Sequence, residues 1–239
     1  SGVGCLHTPE VGWYNGFVPG RKTPLVTDYY YHVFNKGVNG QNIFPDKIDY
    51  HRMLDNLWIY RYLSLPVSIS HLLRLTDKNA QKIRQSIKDN DRFVDVISYC
   101  LMPNHFHFLV RQLSANGIST FMSRLQNSYA RYYNIKQKRL GPLFQSRFKA
   151  VLVESEEQLI HVSRYVHLNP FSSSVVKDLK ELREYKWSSL TEYLTQIPEI
   201  CELKVLSSIL GSPDKYWQFI ANQADYQKKL DQNKHLIIE

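Results

Sequence analysis

The residues best suited to chemistry sit in one short run, Pro103-Asn104-His105-Phe106-His107-Phe108-Leu109-Val110. On a strand, successive side chains alternate between faces. Phe106, Phe108 and Val110 would then form an apolar face that must be covered, while His105 and His107 project together from the other. Neutral imidazoles are good ligands for a divalent cation. Two of them two residues apart converge without rearranging a loop. The plainer alternative is a half-exposed strand with two incidental histidines. Two ligands also leave a metal site incomplete, so at least a third must come from elsewhere.

A second candidate lies in the run Glu156 to Pro170, which contains Arg164-Tyr165-Val166-His167-Leu168-Asn169-Pro170. His161, Tyr165 and Asn169 follow at successive i+4 positions and so share one helix face. A phenol with a pKa near 10 is a weak nucleophile unless its target is polarised. A divalent ion held by His105 and His107 could bind a phosphodiester oxygen and neutralise developing charge. Tyr165 could then attack in line and form a phosphotyrosyl link, which preserves the energy of the phosphodiester and permits rejoining without ATP. Asn169, one turn on, could supply an amide oxygen as the third ligand. Imidazole with hard oxygen suits Mg²⁺ or Mn²⁺. The plainer roles are an amphipathic packer for Tyr165 and a helix-terminal residue ahead of proline for Asn169. Tyr129, Tyr132 and Tyr133 compete for the nucleophile's role. Tyr165 is preferred because Asn169 follows it at ligand spacing.

The charge pattern points to a polyanion. The chain has 239 residues, 30 basic and 22 acidic, for a net charge of +8. From Val96 to Val153 there is no Asp or Glu. That block carries Arg111, Arg124, Arg131, Lys136, Lys138, Arg139, Arg147 and Lys149, which together equal the whole excess. A local positive field of this kind favours nucleic acid. Arg124 and Arg131, seven apart, fall on nearly one helix face; Lys136, Lys138 and Arg139 form a basic turn; Arg147 and Lys149 lie two apart on a strand. These seven are the candidate DNA contacts, with bases stacking on exposed rings such as Tyr132 or Tyr133.

The elements that must position these groups follow from periodicity. Residues 1–27 read as an irregular arm, and Asp28–Phe44 as strand, turn, strand. A helix opens at Pro45-Asp46 and runs through Tyr50, Met53, Leu54, Leu57 and Trp58. Residues 62–92 are ambiguous, with Ser68–Leu75 and Lys78–Asp91 as possible helices. Phe93–Tyr99 and His105–Arg111 read as strands joined by residues 100–104. A long amphipathic helix starts at Gly117, and Gly141-Pro142 breaks it. Leu143–Val153 is strand-like. A helix capped by Ser155 is expected to run to about Leu168, where Asn169-Pro170 stops it. The order β(β)–α–β–β–α–β–α suggests an α+β sandwich of the ferredoxin-like kind, an antiparallel sheet packed by helices, with a C-terminal helical appendage. No apolar run approaches the roughly 18 residues of a membrane span. The three cysteines are dispersed and no CxxC occurs, so neither a disulfide framework nor a zinc ribbon is expected. With no basic n-region before an apolar core at the start, no signal peptide is expected either, and a cytoplasmic location is the default.

Met102-Pro103-Asn104-His105-Phe106-His107 resembles the HUH motif (His, bulky apolar residue, His) of single-tyrosine transposases. Gly141-Pro142-Leu143-Phe144-Gln145-Ser146-Arg147-Phe148-Lys149 resembles the segment that follows in the REP-associated tyrosine transposase branch. Arg164 to Pro170 is similar to that branch's tyrosine helix, and Lys186-Trp187-Ser188-Ser189 to its usual follow-on. The likeness runs from about Tyr29 to Ser189. It implies an HUH nuclease domain over 28–189, after the arm (1–27) and before a helical extension (190–239). It also implies cleavage of single-stranded DNA, often hairpin-bearing, through a 5′-phosphotyrosine that leaves a 3′-hydroxyl. His105 and His107 would be metal ligands, Tyr165 the nucleophile and Asn169 the third ligand, a position often occupied by Gln in related insertion-sequence transposases. A homodimer is possible, since related small transposases often share active sites between subunits. Two other classes stand beside this one. A non-cleaving nucleic-acid-binding module, domesticated or of the RNA-recognition kind, is the first. The second is a small-phosphoester hydrolase, which would need further carboxylates such as Glu154, Glu156 or Glu157.

Overall fold

The computed structural model describes residues 24–88 and 90–229. Most of the expected N-terminal arm therefore lies outside the described residues. The chain opens with β1 (Tyr30–Lys36), α1 (Lys47–Tyr60), α2 (Ile69–Leu72) and α3 (Asp77–Ile87). β2 (Val94–Met102), β3 (His105–Gln112), α4 (Gly117–Lys136), β4 (Lys149–Val153) and α5 (Glu156–Ser172) follow. α6 (Leu179–Arg183), α7 (Leu190–Thr195), α8 (Lys204–Leu210) and α9 (Pro213–Ala221) complete it. The four strands form one sheet in the order β2-β3-β1-β4, with every pairing antiparallel. This is the α+β, ferredoxin-like arrangement expected from the element order.

Strand alternation sets the two layers. On β1, Tyr31, Val33 and Asn35 are buried while Tyr30, His32 and Phe34 are partly covered. On β3, Phe106 and Phe108 stack at 4.5 Å and meet α4 through Phe121. α1 packs beside α4 on that same face, where Asn56 Nδ2 donates to the Leu125 carbonyl. α1 starts where it does because Asp46 caps it reciprocally with Asp49, satisfying otherwise orphaned N–H groups. The opposite face takes α5, whose Val166 packs on Cys100 and Met102 of β2.

β2 is buried along its whole length, because the chain after α6 covers its outer edge. Leu101 N donates to Trp187 O, Ser189 N to Tyr99 O and Glu202 N to Val96 O, and Tyr193 donates its hydroxyl to Ile97 O. An open edge would otherwise expose unpaired backbone groups.

Four expectations are corrected. The second strand before Phe44 does not form: Gly37 N donates to Asn104 O, Val38 N to Leu143 O, and Ile43 N and Phe44 N to Pro103 O. That segment crosses the end of the sheet and spends its donors on two loops. β2 extends to Met102, so Pro103-Asn104 alone turns the hairpin. The strand expected over 143–153 is confined to Lys149–Val153, with Phe144 making only an isolated bridge to Gly37. α5 runs through Pro170 to Ser172. Proline removes one helical N–H bond, but Asn169, Pro170, Phe171 and Ser172 are all buried in that last turn, and their packing outweighs the lost bond. Among the described residues no helix is long and apolar enough to cross a membrane.

Candidate active site

β3 delivers His105 and His107 as its alternation demands. They sit on the α5 side of the sheet, opposite the fully buried Phe106, Phe108 and Val110. The two rings lie 5.0 Å apart and nearly perpendicular. α5 brings Tyr165 to the same place, its ring edge-on to His107 at 5.5 Å. The sequence-derived pair and its nucleophile candidate, 58 residues apart in the chain by subtraction of 107 from 165, therefore meet on one face of the sheet.

A third imidazole joins them. His32 on β1 lies nearly parallel to His107 with 5.1 Å between centroids and meets Tyr165 edge-on at 5.6 Å. Its Nε2 lies 2.9 Å from His107 Nδ1. The sequence reading took Tyr29 to Phe34 only as a strand and missed this residue. Alternation puts His32 on the face of Phe34, and Phe34 pairs with His107, but that pairing is legible only once the strand order is known.

Burial keeps these rings neutral. It pushes His32 down to about 4. It does the same for His105, to about 4, with the nearby Lys36 ammonium adding to the effect. His107 falls well below the usual imidazole range, through burial first and then the neighbouring His32 and His105. At neutral pH each ring therefore carries one N–H and one lone pair. His105 Nδ1 sits 2.6 Å from Asn104 Oδ1. A carbonyl oxygen only accepts, so His105 donates from Nδ1 and keeps its lone pair on Nε2. The Asn104 amide nitrogen points to Gly40 O at 3.4 Å, which supports that orientation of the amide. Among the described residues neither His105 Nε2 nor His107 Nε2 has a hydrogen-bond partner.

This donor set fits a hard divalent cation that keeps several waters or phosphate oxygens in its shell. It does not amount to a closed all-protein cage. Among the described residues no group of three or more His, Cys, Asp or Glu side chains is arranged to hold a metal ion by itself. Asn169 is 3% exposed and donates Nδ2 to the Tyr165 carbonyl at 2.8 Å. Its Oδ1 remains as the lone-pair atom of that amide, one turn from Tyr165. His161 shares the helix but turns away, against Arg164 and Phe219.

The competing tyrosines are structural. Tyr129 donates its hydroxyl to Ile43 O, Tyr133 to Asn42 O and Tyr132 to Asp49 Oδ1. All three lie on α4, across the sheet from the imidazoles.

The seven candidate DNA contacts do not form one patch. Lys149 stands beside the site, 5.9 Å over the Phe34 ring. Arg124 and Arg131 line a groove on the other layer, with Arg52, Arg74, Tyr132 and Ile135. Lys136 is held by Asp46 at 2.7 Å and Asp49 at 2.8 Å. Arg139 donates to Pro142 O and lies over Tyr133. Arg147 and Lys138 are exposed, Lys138 with a left-handed backbone. The block that lacks acids in sequence thus acquires them in space, from α1 and from Asp28, which pairs with Arg111 at 2.7 Å.

Comparison with known proteins agrees with this reading of the fold. Residues 72–169 match the family model described as an IS200-like transposase. The matched segment contains His105, His107 and Tyr165 and ends on Asn169. A solved structure of a REP-associated tyrosine transposase bound to a REP hairpin superposes with a TM-score of 0.52 at 11% sequence identity. The superposition covers 76% of this chain and 88% of that one. No curated protein matches the chain. The resemblance to single-tyrosine transposases read from the sequence, and the HUH-type fold it implied, are borne out.

Proposed function

We propose that this protein is a metal-dependent transposase-type nuclease that nicks and rejoins single-stranded or hairpin DNA through a tyrosine–phosphate link. The observation that carries the reading is the meeting of two imidazoles with open Nε2 atoms and one tyrosine ring within 5.5 Å of His107. The match to an IS200-like transposase model over that same segment supports it. His105 and His107 would hold Mg²⁺ or Mn²⁺, with Asn169 Oδ1 as the third protein ligand. A cation bound there supplies Lewis-acid neutralisation of charge on a phosphate oxygen.

Tyr165 is the nucleophile in this scheme. Its phenolic oxygen forms the new bond to phosphorus as the bond from phosphorus to the 3′ oxygen breaks. The phenolic proton ends on that 3′ oxygen. A 5′-phosphotyrosine and a free 3′-hydroxyl result, and the reverse displacement rejoins a strand. Lys36 and Lys149, at the ends of β1 and β4 near the site, are placed to hold flanking phosphates. Cytoplasmic action and a possible homodimer belong to the same proposal.

Incubation with Mn²⁺ and end-labelled hairpin-bearing single strands should give an adduct that survives denaturation. Tyr165→Phe should lose the adduct and retain DNA binding. Adduct persisting in that variant would move the nucleophile elsewhere. A second reading is a DNA-binding descendant without cleavage, which the basic residues on both faces of the sheet would serve equally well. It predicts binding, and no adduct from the unsubstituted chain under any divalent metal.

A further inference from the structure

The contact between His32 and His107 has a direction that decides what His107 can do. With 2.9 Å between His32 Nε2 and His107 Nδ1, exactly one of the two nitrogens carries the proton. If His32 donates, His107 accepts at Nδ1, and its own proton sits on Nε2, where no cation can bind. If His107 donates, its lone pair is on Nε2. His105 is already fixed in that second form by Asn104 Oδ1.

We propose that His32 is a positioning residue that accepts the His107 Nδ1 proton, so that His105 and His107 present matched Nε2 lone pairs to one cation. The inference rests on the proposed cation-binding role of the pair and adds a residue outside the segment matched by the family model, which begins at 72. Three observations carry it. The planes of His32 and His107 lie 20° apart with 5.1 Å between centroids, so the 2.9 Å contact joins the two rings edge to edge, close to the plane in which an imidazole N–H donates. Each ring of the pair has its Nδ1 engaged, His105 by Asn104 Oδ1 and His107 by His32 Nε2, and neither has a hydrogen-bond partner at Nε2 among the described residues. His107 is also too buried for water to take over, at 6% exposure. A ligating imidazole whose other nitrogen donates to a fixed acceptor is held in one tautomer and one orientation. Removing such a partner typically weakens metal binding by roughly 10- to 100-fold.

The test has two readouts, and neither needs turnover. In the metal-free, ¹⁵N-labelled full chain, long-range ¹H–¹⁵N spectra should show His105 and His107 protonated at Nδ1. His107 protonated at Nε2 in the unsubstituted chain overturns the proposal outright. That arm needs no variant and so does not depend on one folding. The second readout is Mn²⁺ affinity by titration calorimetry, with circular dichroism confirming each fold. His32→Phe fills the space and accepts nothing, and Mn²⁺ binding should weaken by roughly 10- to 100-fold. His32→Gln restores an acceptor near the original Nε2 and should recover most of that loss. Equal affinity in His32→Phe and the unsubstituted chain overturns the positioning role while the cation site stands. No Mn²⁺ binding by the unsubstituted chain, with His107→Ala indistinguishable from it, removes the cation site and the inference together.

Discussion

Two histidine neighbourhoods flank α5, and they are built to opposite ends. His167 is fully buried, and both of its nitrogens are engaged: Nε2 with Ser189 Oγ at 2.7 Å and Nδ1 with the Tyr216 hydroxyl at 2.8 Å. Ser189 in turn accepts from Tyr99 N, and Tyr216 stacks on Tyr193 at 4.8 Å. That network is closed and ties α5 to β2, α7 and α9. His107 is almost as buried, yet among the described residues only one of its nitrogens is engaged, and by another imidazole. Burial pushes His167 down to about 3 and His107 well below the usual range alike. Neither burial nor a depressed pKa therefore marks a ligand. The Nε2 without a hydrogen-bond partner among the described residues does, because a nitrogen can bind a cation only with a lone pair that nothing else occupies.

The sharpest way to break this contrast is to truncate both rings. His107→Ala should abolish Mn²⁺ binding and adduct formation together. His167→Ala should leave Mn²⁺ affinity within a few-fold in whatever protein remains folded. Its cost should appear in denaturant unfolding, about 3 kcal/mol for a buried ring plus the orphaned Ser189 and Tyr216 hydroxyls. Loss of Mn²⁺ binding in a folded His167→Ala protein would erase the distinction.

Acidity sharpens the same comparison. His167, His32 and His105 have folded-state pKa values below the ordinary 6.5, at about 3, 4 and 4. The unfolded chain then binds more protons than the folded one between about pH 6.5 and those values. Stability is complete above pH 6.5 and should fall as pH falls through that window. In His167→Ala the slope of unfolding free energy against pH should flatten most at its acid end. An unchanged slope would mean that the ring is solvated.

How far these features are legible in the sequence depends on the range of the interaction. The alternation His105-Phe106-His107-Phe108 encodes a local fact, and it placed the imidazoles on one face correctly. The capping pair Asp46 and Asp49 is equally local, and the start of α1 follows from it. His32 escaped because its partner is 75 residues away and reaches it only through the β1–β3 register. The closed network of His167 escaped for the same reason, with Ser189 and Tyr216 lying 22 and 49 residues on. The turn at Val38 to Gly40 was taken for a hairpin because local turn chemistry does not say which loop will take the freed donors. Tyr165 and Asn169 were legible as one helix face, whereas the hydrogen bond from Asn169 to the Tyr165 carbonyl belongs to the helix as folded.

The basic residues make a second, gentler version of the contrast between engaged and open groups. Lys136 is engaged: burial opposes its charge, but Asp46 and the fully buried Asp49 more than offset that and raise its pKa. Lys136→Ala should therefore destabilise the fold by about 1–3 kcal/mol, since it leaves the buried Asp49 carboxylate with hydrogen-bond donors but without its cation. It should leave DNA affinity nearly unchanged. Its hydrogen-bonding partners, not a phosphate, take up its donors.

Arg131 is the open counterpart, exposed on the α4 groove beside Arg74 and Arg124. Arg131→Ala should leave thermal stability within about 0.5 kcal/mol. If a strand crosses that groove, the same variant lowers the slope of log affinity against log salt by about 0.7, uniformly across sequences, because a phosphate contact carries no base information. An unchanged slope would confine the nucleic-acid path to the imidazole side of the sheet, where Lys36 and Lys149 stand. The two layers would then divide the work completely, one face for the reacting strand and the other for holding the sheet together.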